Sequence, residues 1–341
     1  MATTTMKGWQ FQYPGAAAVD KYLTFKDTLP RPAESSVGPE DVLVKVIASG
    51  LNPADYRVIE LGLIARAILP FPKTAGIDFS GEIVSVGSKV TDVKTGDKVV
   101  GRVNPFKNAG ALSEYVVTPR SYIAVLPPSA DVVTAAGIPT AALTAYQSIA
   151  PHVTPGKGTK VFINGGSGGA GSCCIQIAKL LGCHVTVSCS TAKVDLCRQL
   201  GADEIIDYKR GNVTEELQRR GRVYALIVDN VGDSPADLYS SSREYLGDGR
   251  PYVFVGGHMS LSLFRNLLAA FIVPTFLGGV RGRFVQFLAK DVPEDLEQLV
   301  AWFAEGKLRI GVESTHEFAD AKLAFQKLQA GSLTGKIIVT V

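Results

Sequence analysis

The segment Val161-Phe162-Ile163-Asn164-Gly165-Gly166-Ser167-Gly168-Gly169-Ala170-Gly171 constrains this chain more than any other. A short apolar, β-branched run enters a cluster of glycines, and an amphipathic stretch from Ser172 to Gly182 begins directly after it. Gly166, Gly168 and Gly171 satisfy G-x-G-x-x-G between a strand and a helix, the context that gives the pattern physical meaning. There the glycines permit a tight turn and close approach of the backbone to a pyrophosphate, which the unpaired N–H groups of the helix start can hold. Gly166, Ser167, Gly168, Gly169, Ala170 and Gly171 are therefore candidate cofactor-binding residues. The competing reading is a glycine-rich turn with no ligand, and the pattern of the chain beyond Gly182 weighs against it.

Beyond Gly182 the chain runs through a series of βα units. Strands are predicted at His184–Ser188, Glu204–Ile206, Tyr224–Asp229 and Pro251–Val255. Helices are predicted at Lys193–Leu200, closed by Gly201, and at Ala236–Tyr245. Strands alternating with helices indicate an α/β fold with a doubly wound parallel sheet and a ligand crevice at the strands' carboxyl ends.

The end of the second strand, His184–Ser188, bears on the nucleotide. NAD sites place an Asp or Glu there, about 20 residues beyond the glycines, to hold the ribose hydroxyls. Here the strand leaves through Ser188-Cys189-Ser190-Thr191-Ala192-Lys193, with no carboxylate before Asp195. Hydroxyls and an ammonium suit a 2′-phosphate, which a carboxylate would repel. Ser190 and Lys193, with Tyr208 just beyond the third strand, are thus read as an NADPH phosphate site. Alternatively Ser190 caps a helix and Lys193 is a solvated charge.

The chain's 341 residues exceed one typical domain. A net charge of +3 with no basic block argues against nucleic acid as a partner. The five cysteines lie between Cys173 and Cys197 and form no C-x-x-C pair, which points to buried thiols in a reducing, cytoplasmic setting. The N-terminal residues lack the apolar core of a signal peptide. The greasy stretch Leu267–Val280, broken by Pro274, is shorter than the roughly 17 to 25 residues that span a bilayer. A buried or substrate-lining helix is expected there, with peripheral membrane contact as the minor alternative.

Before about residue 130 the texture changes to short strands broken by Gly and Pro. Val42–Ala48, Gly81–Val86, Lys98–Val103 and Ser113–Val117 are the clearest, and Lys336–Val341 reads as a strand returning to them.

Several ordered motifs in this chain are similar to those of the medium-chain dehydrogenase/reductase superfamily, in its zinc-free quinone oxidoreductase and enone or enoyl reductase branch. They are Gly50-Leu51-Asn52-Pro53-Ala54-Asp55, Gly76-Ile77-Asp78-Phe79-Ser80-Gly81, Gly96-Asp97-Lys98-Val99, Gly110-Ala111-Leu112-Ser113-Glu114-Tyr115, the run Ala136–Tyr146, and Thr334-Gly335-Lys336. The resemblance covers nearly the whole chain. It implies a GroES-like, mainly β catalytic domain over residues 1–128, completed by 281–341, and a Rossmann NADP(H) domain over 129–280.

The superfamily's zinc enzymes hold their metal with a Cys, a His-Glu pair and a later Cys or Asp. This chain has Asn52 and Ile77-Asp78 there, and amide and alkyl groups do not replace thiolate and imidazole, so no metal is expected. The resemblance then implies NADPH-dependent reduction of an activated C=C bond in an apolar enone, 2-alkenal or quinone. Alternatives are a trans-acting enoyl reductase on carrier-bound thioesters and a non-catalytic NADPH-binding protein. Tyr56 is implied as enolate stabiliser or proton donor, Asn52 as a neighbour of the nicotinamide ribose, and Thr144 as a cofactor contact. Asn230 and Val255-Gly256-Gly257 are implied to pass the nicotinamide. A packed core tyrosine and a turn asparagine are the competing readings of Tyr56 and Asn52. The family also implies a homodimer. The substrate pocket would involve Tyr56, Ile59–Phe71 and Leu261–Phe287.

Overall fold

The structure, a computed structural model, describes residues 4–256, 261–274 and 279–341. The chain divides into a catalytic unit, Met1–Leu143 with Lys290–Val341, and a nucleotide unit, Thr144–Ala289. In chain order the catalytic unit contributes β1 (Thr5–Phe11), β2 (Leu23–Pro30), β3 (Asp41–Leu51), β4 (Lys73–Thr74), β5 (Asp78–Val86), β6 (Lys98–Arg102), β7 (Tyr115–Pro119) and β8 (Ile123–Val125). The nucleotide unit contributes β9 (Lys160–Asn164), β10 (His184–Cys189), β11 (Glu204–Asp207), β12 (Leu226–Asp229), β13 (Pro251–Phe254) and β14 (Arg283–Gln286). The chain then returns to the catalytic unit with β15 (Val312–Glu317) and β16 (Lys336–Thr340).

In the nucleotide unit the order is β11-β10-β9-β12-β13-β14, with every neighbouring pair parallel. Val161–Asn164, Leu226–Asp229 and Pro251–Phe254 are buried along their length, as strands covered on both faces must be. The order reverses between β9 and β12, which opens a crevice at their carboxyl ends. The glycine loop leaves β9 at that point. The core beneath is aromatic: Phe162, Tyr224, Tyr239, Tyr245, Tyr252 and Phe254 cluster with Leu217 and Ile227.

The structure departs from the prediction at three places. Ala236–Tyr245 is a series of turns with one 3₁₀ turn at Ser242–Glu244, not a helix. There Ser240 Oγ donates to the Asp237 carbonyl and Ser241 Oγ to the Asp237 carboxylate, local bonds that compete with helix. A helix at Val213–Arg220, absent from the prediction, is capped by Asn212, whose Oδ1 accepts from Thr214 N–H at 2.8 Å. Finally, β14 extends the parallel sheet, so the nucleotide unit continues past residue 280 to Ala289.

The greasy stretch is also not a buried helix. Leu261–Ile272 is helical and sets Leu263 into the core, but Phe264, Leu268, Phe271 and Ile272 are exposed. Residues 275–278 of the predicted stretch lie outside the described residues. Among the described residues no helix is long and apolar enough to cross a membrane.

In the catalytic unit the main sheet runs β15-β16-β3-β5-β6-β8, with β7 also on β3; apart from the parallel pair β15–β16 it is antiparallel. A smaller sheet runs β2-β1-β4. Alternating residues of β3, β5 and β6 fill one core with Val42, Val44, Phe79, Ile83 and Val99. A second core holds Phe11, Leu51, Tyr56, Ile59 and Phe325. The β16–β3 register sets Ile337 opposite Leu51, which brings Lys336 beside Asn52 across 284 residues of sequence.

Candidate active site

Each unit carries its own constellation. In the nucleotide unit the loop after β9 is tied to β10: Gly165 N–H donates to Ser188 Oγ and Gly166 N–H to the Ser188 carbonyl, both at 2.9 Å. The helix Gly169–Leu180 then packs so closely that a Cβ on Gly171 would stand 2.0 Å from the Gly165 carbonyl oxygen. Only glycine fits there. Among the described residues Gly168, at the helix start, has no side-chain cap, and a Cβ on it would meet nothing within 4 Å. Uncapped N–H groups facing open space are what a pyrophosphate requires, so Gly166, Ser167, Gly168, Gly169, Ala170 and Gly171 fit that group.

Ser190, Lys193 and Tyr208 come together at the ends of β10 and β11. Cys189 and Asp207 are opposite in register, Tyr208 N–H donates to the Cys189 carbonyl at 3.1 Å, and Lys193 N–H to the Ser190 carbonyl at 2.8 Å. Among the described residues the Lys193 ammonium has no ion-pair partner. A carboxylate that the residues before Asp195 did not signal, Asp207, is nearby. It accepts from Thr191 Oγ1 at 2.6 Å and Lys209 N–H at 2.9 Å, and the Thr191 hydroxyl foremost holds it below the usual carboxylate range.

A buried network behind the loop was missed from sequence. Ser188 Oγ donates to Asn164 Oδ1 at 2.6 Å, Asn164 Nδ2 to Asp229 at 2.9 Å, and the Tyr252 hydroxyl to Asp229 at 2.6 Å. Burial foremost, then the Asp229 charge, pushes the Tyr252 phenol well above its ordinary range, so it stays a donor. This ties the carboxyl ends of β9, β10 and β12 to Tyr252 of β13. Asn164, a lone amide closing an apolar strand, was the legible signal. Asn230 next to it has a buried Oδ1 with no hydrogen-bond partner among the described residues. Val255 and Gly256 follow β13, with Val255 N–H bound to the Asp229 carbonyl; Gly257 lies outside the described residues. Thr144 is buried on the helix Pro139–Ile149. The five cysteines are buried and form no disulfide with one another.

The catalytic unit replaces the expected polar turn with a buried charge network. Asn52 Nδ2 donates to Asp78 Oδ2 at 2.9 Å and to the Gly50 carbonyl at 3.1 Å, while Asn52 Oδ1 accepts from Lys336 Nζ at 2.6 Å. Asp78 is fully buried and also accepts from Thr140 Oγ1 at 2.5 Å and Thr140 N–H at 3.0 Å. Lys336 and Arg102 stand 3.6 and 3.9 Å from its oxygens, and Arg102 donates onward to Asp291 at 3.0 Å. Asp55 caps the same turn, accepting from Asn52 N–H at 2.7 Å, and burial pushes its carboxyl up to about 7. Burial likewise pulls the Lys73 ammonium down to about 8.

This donor set does not fit zinc. Asn52 Oδ1 and both Asp78 oxygens are already hydrogen-bonded, and a lysine ammonium sits against them where a second cation would be repelled. Among the described residues no group of three or more His, Cys, Asp or Glu could hold a metal. Tyr56 stands apart from the network. Its ring is buried in the second core, edge-on to Phe325 with centroids 6.5 Å apart.

The chain is similar to known proteins over its whole length. A family model described as alcohol dehydrogenase GroES-like domain matches residues 38–128, and one described as zinc-binding dehydrogenase matches residues 200–339. The trans-enoyl reductase pgmF of Aspergillus terreus is 42% identical over 357 residues, covering 100% of this chain and 98% of its own. A chloroplastic quinone-oxidoreductase homolog of Spinacia oleracea is 32% identical, covering 88% of this chain and 89% of its own. The structure of the quinone oxidoreductase from Coxiella burnetii superposes with a TM-score of 0.82 at 28% identity, covering 98% of this chain and 99% of that one.

Proposed function

The chain belongs to the medium-chain dehydrogenase/reductase family, in its zinc-free quinone oxidoreductase and enoyl reductase branch, and from that premise we propose that it reduces the C=C bond of an α,β-unsaturated acyl thioester with NADPH. It is an NAD(P)H-dependent oxidoreductase. The thioester reading is supported by full-length similarity to a trans-enoyl reductase at 42% identity. Free enones and quinones form the second reading, supported by the quinone oxidoreductase relatives.

Preference for NADPH is supported by Lys193, which has no ion-pair partner among the described residues and whose backbone is tied to Ser190, and by Tyr208 beyond β11, residue types that can donate to a 2′-phosphate. The glycine loop and the uncapped helix start hold the pyrophosphate. Asn230, Val255, Gly256 and Thr144 complete the cofactor contacts. NADPH, when bound, supplies a hydride for the β-carbon. Negative charge then moves to the carbonyl oxygen, where hydrogen-bond donors stabilise it, and a proton must reach the α-carbon. Tyr56 is the side chain assigned to that proton. A homodimer in a reducing, cytoplasmic setting belongs to the same reading, the buried thiols outside any disulfide supporting the latter.

The deciding experiment measures NADPH and NADH oxidation against pantetheine enoyl thioesters, free enones, 2-alkenals and quinones. Faster turnover of the thioesters supports the carrier-bound reading. Turnover of free enones alone overturns it, and no turnover of any member leaves a non-catalytic NADPH-binding protein.

A further inference from the structure

The helix Leu261–Ile272 is apolar on more than the side it buries. Leu263 sits in the aromatic core of the nucleotide unit, and Leu267 and Ala270 pack against that core. These positions recur at i, i+4 and i+7, one face of a helix. A second series on the neighbouring face, Phe264, Leu268, Phe271 and Ile272, is 56%, 49%, 61% and 68% exposed. The outward side of a globular helix ordinarily carries polar and charged residues there. The stripe is held in place by the core. Phe271 meets the Phe284 ring edge-on with centroids 5.5 Å apart and lies 5.9 Å from the Tyr239 ring. A helix seated lengthwise on its core with apolar residues outward has the geometry of one lying in a membrane interface. At 12 residues, about 18 Å, it is too short to span a bilayer.

Charge selects the occupant. No Asp or Glu stands between Asp248 and Asp291, whereas Arg250, Arg265, Arg281, Arg283 and Lys290 all fall within that stretch. Arg265 is exposed on the helix itself, next in sequence to Phe264. The Phe271–Phe284 contact brings the last turn of the helix to the start of β14, where Arg281 and Arg283 are exposed. Asp248, at the boundary, is already paired with Arg222 and Arg281, each at 3.1 Å. Anionic headgroups repel carboxylates and attract guanidinium, and the acyl layer beneath them accepts apolar side chains. We propose that this helix is a membrane-surface anchor that seats Phe264, Leu268, Phe271 and Ile272 in the interface of an anionic lipid bilayer, with Arg265 at the headgroups.

The test is co-flotation of the full chain with vesicles of phosphatidylcholine, alone or with added phosphatidylserine, at low and high salt. Gel filtration of each variant runs alongside. Partition is expected to rise about tenfold with phosphatidylserine and to fall as salt is raised. Phe264→Ser with Phe271→Ser is expected to lower it about tenfold or more, and Arg265→Gln about fivefold. If the serine variant does not fold, Arg265→Gln and the salt dependence of the unaltered chain carry the test. No binding to phosphatidylserine vesicles overturns the proposal, as does equal partition into both kinds of vesicle. Undiminished binding by the serine variant overturns the assignment to this helix. A dimer that the serine substitutions split into monomers would place a second copy of the chain on the stripe and overturn the membrane reading.

Discussion

The glycine loop of the nucleotide unit and the Asn52–Asp78–Lys336 network of the catalytic unit solve different problems. The loop offers backbone N–H groups, so what it needs from its residues is the absence of side chains over a few consecutive positions. The network is built from side chains at the end of β3, on β5, on the helix Pro139–Ile149 and on β16, residues spread from 52 to 336. A backbone site is written locally and tolerates no bulk. A charge network is written across the fold, and each member depends on the others being in place.

The largest effect should come from adding bulk to the loop. Gly171→Val places atoms against the Gly165 carbonyl, where even a Cβ would stand at 2.0 Å. It is expected to abolish detectable NADPH binding and cost about 3 kcal/mol or more of stability. Intact binding in a titration would remove the loop from the site.

On the network side, pH provides the probe. Burial raises the Asp55 carboxyl from 3.8 to about 7 in the folded protein. A group raised on folding contributes stability that is fully present below its unfolded value, near 4, and is lost as pH rises through about 7. The loss amounts to at most about 4 kcal/mol. Asp55→Asn should therefore flatten the decline in urea stability between pH 4 and pH 7. Lys73, pulled down to about 8, titrates above most of this window. A wild-type slope that survives the substitution would show that Asp55 ionises normally.

Tyr56 tests whether a residue packed outside the network takes part in the chemistry. Tyr56→Phe is expected to lower kcat about a hundredfold while NADPH affinity stays unchanged. An unaltered kcat would make solvent the proton source and Tyr56 a core residue alone.

The smallest effect belongs to the phosphate site. Lys193→Ala with Ser190→Ala should raise the KM for NADPH roughly tenfold and leave that for NADH nearly unchanged, since a charge-assisted hydrogen bond contributes about 1.5–3 kcal/mol. Equal changes for both nucleotides would refute the phosphate assignment.

The sequence by itself determined what depends on neighbours in the chain: the strand–glycine–helix unit at Val161–Leu180, the alternation that makes the parallel sheet, and the missing carboxylate after β10. These arise from periodicity and steric freedom, which act over a few residues. It was silent or misleading where local preference was weak. Ala236–Tyr245 had helical composition, but its serines bonded their own turn, and the short β14 had no pattern to separate it from a loop.

Only the tertiary structure decided the network around Asn52. Asn52 read equally well as a turn residue, Lys336 as the end of a motif, and Asp78 as a vestige of a metal-binding pair. The β3–β16 pairing puts all three in contact and buries them. Away from water, an ammonium, an amide and a carboxylate must satisfy one another, and that mutual requirement fixes the orientation of each.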